Sequence, residues 1–120
     1  MDVLYTAEAL STGDGRNGHG STTSGRIDVD LTAPKEMGGS GTGTNPEELF
    51  AVGYAACFHS ALRMLGKQAG ADMTDSSVGS KVSLGRTDTG GFGLAVELEV
   101  ILPNVEGAEA QKLADAAHQV

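Results

Sequence analysis

The side chain best equipped for covalent chemistry is Cys57, the single cysteine of this 120-residue chain. A thiolate is a strong nucleophile and a metal ligand, whereas a free cysteine packed in a core is inert. The inert reading holds unless something favours the thiolate. Cys57 lies in Gly53-Tyr54-Ala55-Ala56-Cys57-Phe58-His59, inside a run with strong helical signals that starts at Pro46. Eleven residues past Pro46 is ~16 Å along a helix axis, too far for the positive end of the dipole to act. His59, two residues on, stands ~160° round the helix and faces away. Thiolate chemistry at Cys57 therefore needs a cation from elsewhere in the fold. One thiol also excludes an internal disulfide, a CxxC redox pair and a multi-cysteine zinc site.

Other constellations are weaker. Cys57, His59 and either His19 or His118 fail as a metal site, because the first two face opposite ways, and no metal is expected. A Cys-His hydrolase fails on the same geometry unless His19 or His118 folds onto the thiol. His118 reads as a helix C-terminal residue favoured by the dipole. Gly39-Ser40-Gly41-Thr42-Gly43-Thr44 before a helix start looks like a phosphate cradle. No lysine follows in the P-loop position, no apolar strand leads in, and Glu47 and Glu48 would repel phosphate.

The elements that must position these residues follow from periodicity. Val3 to Ala9 alternates loosely and predicts a first strand, and the Gly/Ser/Thr-rich stretch Ser11 to Ser24 predicts a long turn or loop. Arg26 to Leu31 alternates cleanly, with Ile27, Val29 and Leu31 on one face, and predicts a half-buried strand ended by Pro34. Asn45 as cap, Pro46 at the first helical position, and Glu47 and Glu48 in the first turn predict a helix from Pro46 to about Lys67, ending before Gly70. Asn45 and Glu48 approximate a capping box. Ser77 to Leu84 and Phe92 to Leu102 predict a hairpin closed by Pro103, with Leu94, Val96, Leu98 and Val100 on one face. Glu106 to Val120 predicts a second helix, with Ala110, Leu113, Ala114 and Ala117 at helical spacing. The order is that of an α+β domain.

The long helix is apolar or small on nearly every face, polar only at His59, Ser60 and Arg63 between Leu49 and Leu65. Four or five modest strands cannot wrap it. At ~25 cal/mol per Å² the uncovered half would cost several kcal/mol. A partner chain is the expected cover, and a homodimer the simplest form of it.

Length allows one domain, residues 1–120. A net charge of −8 argues against a non-specific hold on nucleic acid. No uninterrupted apolar run approaches the ~20 residues of a membrane span. The N-terminus has neither a basic nor an apolar signal region. The expectation is a small, soluble, cytoplasmic domain with neither nucleic-acid nor membrane partners.

Several segments together carry a resemblance. They are Gly15-Arg16-Asn17-Gly18-His19, Pro34-Lys35-Glu36-Met37-Gly38-Gly39 and the run Gly43-Thr44-Asn45-Pro46-Glu47-Glu48-Leu49-Phe50-Ala51, which continues into Gly53 to Phe58. With Leu4 to Ala7, Gly90-Gly91-Phe92 and Ala116 to Val120, they resemble the organic hydroperoxide resistance (Ohr) branch of the Ohr/OsmC family over essentially the whole chain. The resemblance implies antiparallel sheets wrapped around a long buried central helix in an intertwined homodimer. It implies a thiol peroxidase that reduces organic or fatty-acid hydroperoxides, with no bound cofactor and with dihydrolipoamide, a lipoylated protein or another dithiol as external reductant. Cys57 then looks like the peroxidatic cysteine, Arg16 like the arginine that holds its thiolate, and Glu47 like the carboxylate that positions Arg16. Phe50, Tyr54 and Phe58, with Met37 and Phe92, would line an alkyl pocket. Glu47 and Cys57, ten residues apart on one helix, stand ~15 Å apart along its axis. If Arg16 bridges both, Glu47 is expected to come from the other subunit, with Arg16 supplied by either chain, in composite sites at the dimer interface.

Raising thiolate content is not service enough for such an arginine. Bringing a thiol from pKa ~8.5 to ~6 multiplies its thiolate at pH 7 by ~30, while the accompanying loss of nucleophilicity removes ~13-fold. Arg16 is therefore expected to contact the peroxide as well, where one donor contributes ~3 kcal/mol. The resemblance also implies a Cys-Pro step immediately after Val120, carrying the resolving cysteine, and a last strand. Residues 1–120 are expected to lack both, so that turnover draws on an external thiol. The alternative is a non-catalytic or truncated member with one reactive cysteine, reacting once or only binding or sensing hydroperoxide.

Overall fold

The computed structural model describes residues 1–119. They form two compact units, Met1–Leu49 and a second from Phe50 onward. The elements are β1 (Ala9–Asp14), β2 (Asn17–Thr22), β3 (Asp28–Asp30), a 3-10 turn (Lys35–Met37), α1 (Pro46–Gln68), β4 (Ser77–Arg86), β5 (Phe92–Ile101) and α2 (Gly107–Ala117). The α+β expectation holds. Val120, the last residue of the second expected helix, lies outside the described residues.

In the first unit β1, β2 and β3 form one antiparallel sheet in that order. This corrects two expectations. Ser11 to Ser24 is mostly a hairpin rather than a loop, with Asp14 paired to Asn17 and a two-residue turn at Gly15 and Arg16. Gly15 has φ +69°, the left-handed value that a II′-type hairpin needs at its first turn position. The strands escape periodicity because glycine, serine and threonine on both faces leave no apolar alternation to read. Conversely, residues 3–7 form no strand and lie exposed. Their alternation meets no pairing edge among the described residues. The third strand is shorter than Arg26 to Leu31. It stops at Asp30, and Leu31 goes into the core with an isolated bridge to Thr44.

α1 runs unbroken from Pro46 to Gln68, as its caps predict. The Glu48 N–H donates to Asn45 Oδ1 at 2.9 Å, so Asn45 is the N-cap. The capping box is only half made, because the Glu48 carboxylate accepts from the Thr44 hydroxyl instead. At the other end the Ala71 N–H reaches Gly66 O and the Gly70 N–H reaches Lys67 O, with Gly70 at φ +74°. That is the Schellman arrangement, and it stops the helix where expected.

In the second unit β4 and β5 pair antiparallel from Ser77–Ile101 to Arg86–Phe92. Phe58, Leu62 and Met73 make the buried core with Leu113 and Ala117 of α2, while Leu98 and Val100 pack on it from β5. Leu94 and Val96, the outer half of the same β5 face, remain exposed. The polar stripe of α1 also finds partners. His59 Nε2 pairs with Ser76 Oγ at 2.9 Å, and Arg63 donates to Met73 O and Ser76 Oγ, both at 3.0 Å.

The helix is not buried within its own chain. Of its residues only Phe58, Leu62 and Gly66 are buried, and Val52 is 72% exposed. By length and a mean hydropathy of 1.2, α1 is apolar enough to cross a bilayer, with 17% of that stretch covered. Reading uninterrupted runs missed this, because averaging tolerates the scattered His59 and Arg63.

Candidate active site

In the first unit the hairpin turn presents Arg16, and the cap places Glu47 in the first turn of α1. Arg16 Nη1 donates to Glu47 Oε1. The two side chains are 33% and 17% exposed, so the pair is partly shielded from water and charge-assisted. The turn is held in place from behind, where Asn17 Oδ1 accepts the Ala33 N–H at 2.9 Å. Met37 ends the 3-10 turn and is half exposed.

The second unit carries the thiol. Cys57 is exposed on α1 and opens onto a cavity of about 160 Å³ lined by Tyr54, Cys57, Phe58, Ala61, Ala117 and His118. Residues 54, 57, 58 and 61 recur at helical spacing, so one stripe of α1 makes most of the wall. Phe50 stacks on Tyr54, with ring centroids 5.6 Å apart and planes at 30°, and extends the aromatic rim one turn towards the N-terminus. Phe92, at the start of β5, is 69% exposed and is not part of the cavity wall. His59 is turned to Ser76, as its helical phase requires.

Of the two histidines that the sequence left free to fold towards the thiol, His118 is the one that lines its cavity. It is the C-cap of α2, as a helix-end residue should be. Its ring also lies against Phe58, centroids 4.9 Å apart and planes at 57°, and closes the far side of the thiol cavity. No local signal connects residues sixty-one positions apart. Only the packing of α2 on α1 through Leu113 and Ala117 brings them together.

Chemically, the second unit offers an accessible thiol and an imidazole on the wall of one cavity, and the first unit offers an arginine fixed by a carboxylate. Known proteins resemble this chain in sequence and fold. Residues 39–120 match the family model for OsmC-like proteins. An organic hydroperoxide resistance protein of Xanthomonas axonopodis pv. citri is 46% identical over 120 residues, covering 98% of this chain and 83% of that one. The organic hydroperoxide resistance protein OhrB of Bacillus subtilis is 40% identical over 118 residues, covering 98% and 85%. The crystal structure of an organic hydroperoxide resistance protein from Legionella pneumophila matches with a TM-score of 0.91 at 45% identity, covering 98% of this chain and 85% of that one.

Proposed function

The chain belongs to the OsmC-like family, in its organic hydroperoxide resistance branch, and from that premise we propose that it is a thiol peroxidase acting on organic hydroperoxides through Cys57. The observation that carries the reading is the exposed Cys57 sulfur opening onto a cavity walled by Tyr54, Phe58 and Ala61. An aromatic wall suits an alkyl or aryl hydroperoxide better than hydrogen peroxide, which has no apolar part to bury.

In the reaction the Cys57 thiolate attacks the terminal, hydrogen-bearing oxygen of R–O–O–H. The S–O bond forms as the O–O bond breaks, and the bonding pair leaves on the alkoxide. Sulfur is oxidised by two electrons to the sulfenic acid and the peroxide is reduced to the alcohol. A dithiol such as dihydrolipoamide, free or on a lipoylated protein, then attacks the sulfenic sulfur and expels water. Its second thiol closes the reductant's own disulfide and releases Cys57.

Arg16 and Glu47 enter as a unit. Ten residues of continuous helix separate Glu47 from Cys57, ~15 Å of rise. The reading therefore gives each thiol the Arg16–Glu47 pair of a second copy, in a homodimer that also covers the apolar faces of α1. There the guanidinium holds the thiolate and the peroxide oxygen that gains charge. The cytoplasm, where lipoylated proteins and dithiol pools are kept reduced, is the compartment this chemistry suits.

Titration of the reduced chain with cumene hydroperoxide, followed by thiol counting, tests the reading. Loss of one thiol per equivalent, absent in Cys57→Ser, is the expected result, and repeated turnover with dihydrolipoamide completes it. A thiol that survives excess hydroperoxide overturns the proposal. One equivalent consumed without turnover establishes instead the single-reaction alternative.

A further inference from the structure

The reaction just described leaves a proton unaccounted for. The alkoxide departs as a strong base, whereas the sulfenic acid keeps the hydrogen of the attacked hydroxyl. A guanidinium is too weak an acid to give up its proton, and Glu47 is engaged as an acceptor from Arg16, so neither is a competent acid. Resting on the proposed peroxidase reading, we propose that His118 is the catalytic acid that protonates the alkoxide leaving from Cys57.

Three observations carry it. His118 and Cys57 line the same cavity of about 160 Å³, on α2 and α1 respectively. The ring is held by its tilted contact with Phe58, and its backbone is held at the C-cap, where the His118 N–H meets Ala114 O and Ala116 O. Imidazole is also the side chain that both gives and takes a proton near neutral pH. The other titratable groups facing His118 across the cavity are the Cys57 thiol and the Tyr54 phenol, both on α1. The imidazolium gives its proton as the O–O bond breaks, the alcohol leaves, and the neutral ring regains a proton from solvent.

The distinguishing measurement compares two oxidants on the same folded protein. Cumene hydroperoxide releases an alkoxide that needs a proton, whereas peracetic acid releases acetate, which does not. Single-turnover loss of the Cys57 thiol is followed for the parent chain, His118→Gln and His118→Phe, the last keeping a ring against Phe58. The expected result is a fall of about 100-fold with cumene hydroperoxide and less than about 3-fold with peracetic acid in both variants. Equal losses with the two oxidants, or none, overturn the role of His118 while leaving the peroxidase reading intact. A parent chain that reacts with neither oxidant removes the peroxidase reading itself. Thermal melts and iodoacetamide-accessible thiol confirm that each variant is folded, and the ratio between oxidants is insensitive to a general loss of stability.

Discussion

Arg16 donates Nη1 to Oε1 of Glu47, joining the tip of the β1–β2 turn to the first turn of α1. The contact ties a turn residue, otherwise free to rotate, to a helix end that is fixed by its cap.

Removing the charge on Glu47 should therefore release Arg16 without disturbing the helix. Glu47→Gln is expected to slow oxidation of Cys57 by cumene hydroperoxide about 10-fold, at an unchanged melting temperature. Arg16→Lys keeps the charge but loses the planar fork, and is expected to cost about 100-fold. Stopped-flow thiol oxidation reads both. A full rate in Arg16→Lys would reduce the arginine to a point charge.

His19 contributes a pH dependence to stability. Its Nδ1 lies 2.8 Å from Asp30 Oδ1 and its Nε2 meets Asp28 Oδ1, with Asp30 directly across the strands. Two carboxylates demand two N–H donors, which only imidazolium has. The hydrogen bonds to Asp30 and then Asp28 accordingly raise its pKa above the ordinary 6.5. The stabilisation is complete below the unfolded value and is lost as pH rises through the folded one. The melting temperature of the parent should exceed that of His19→Gln below about pH 6.5 and converge on it above the folded value, less steeply in high salt. A difference independent of pH would show that the clasp is not charged.

Val52 tests whether the apolar face of α1 is covered. At 72% exposure a charge there should change stability by less than about 0.5 kcal/mol if the face meets water. Covered by a second copy, Val52→Asp is expected to shift sedimentation from dimer to monomer and to lower the melting temperature. A parent chain that sediments as a monomer would end the shared-site reading.

Gly66 faces the core where a Cβ would collide with Sδ and Cγ of Met73. Alanine gains roughly 1 kcal/mol in helix propensity, but crowding a buried methionine costs about 1–3 kcal/mol. Gly66→Ala is expected to destabilise by about 1 kcal/mol in denaturant melts, whereas Gly53→Ala, with no neighbour within 4 Å in its own chain, measures propensity and any cover from a second copy.

What could be read from residues alone divides along physical lines. α1 was legible to within one residue because its ends are coded locally, by Asn45, Pro46 and Gly70. The β4–β5 hairpin was legible through the Leu94, Val96, Leu98, Val100 alternation. The β1–β2 hairpin was not, because its pairing rests on backbone geometry that serine, threonine and glycine leave unmarked. Residues 3–7 show the converse, since alternation specifies a strand only where an edge exists to receive it. Cys57 stood out by being alone, and Arg16 and Glu47 by resemblance. Whether His118 or His19 reaches the thiol stayed open, because that relation is made by helix packing, over a separation that no periodicity spans.

Phe58 belongs at once to the buried core with Leu62 and Met73 and to the wall of the thiol cavity, where it carries His118. One benzene ring thus serves two masters. Interior fit and the shape of that hollow are the same degree of freedom here, so warming or solvent that loosens the packing is expected to deform the surroundings of the sulfur before the chain unfolds.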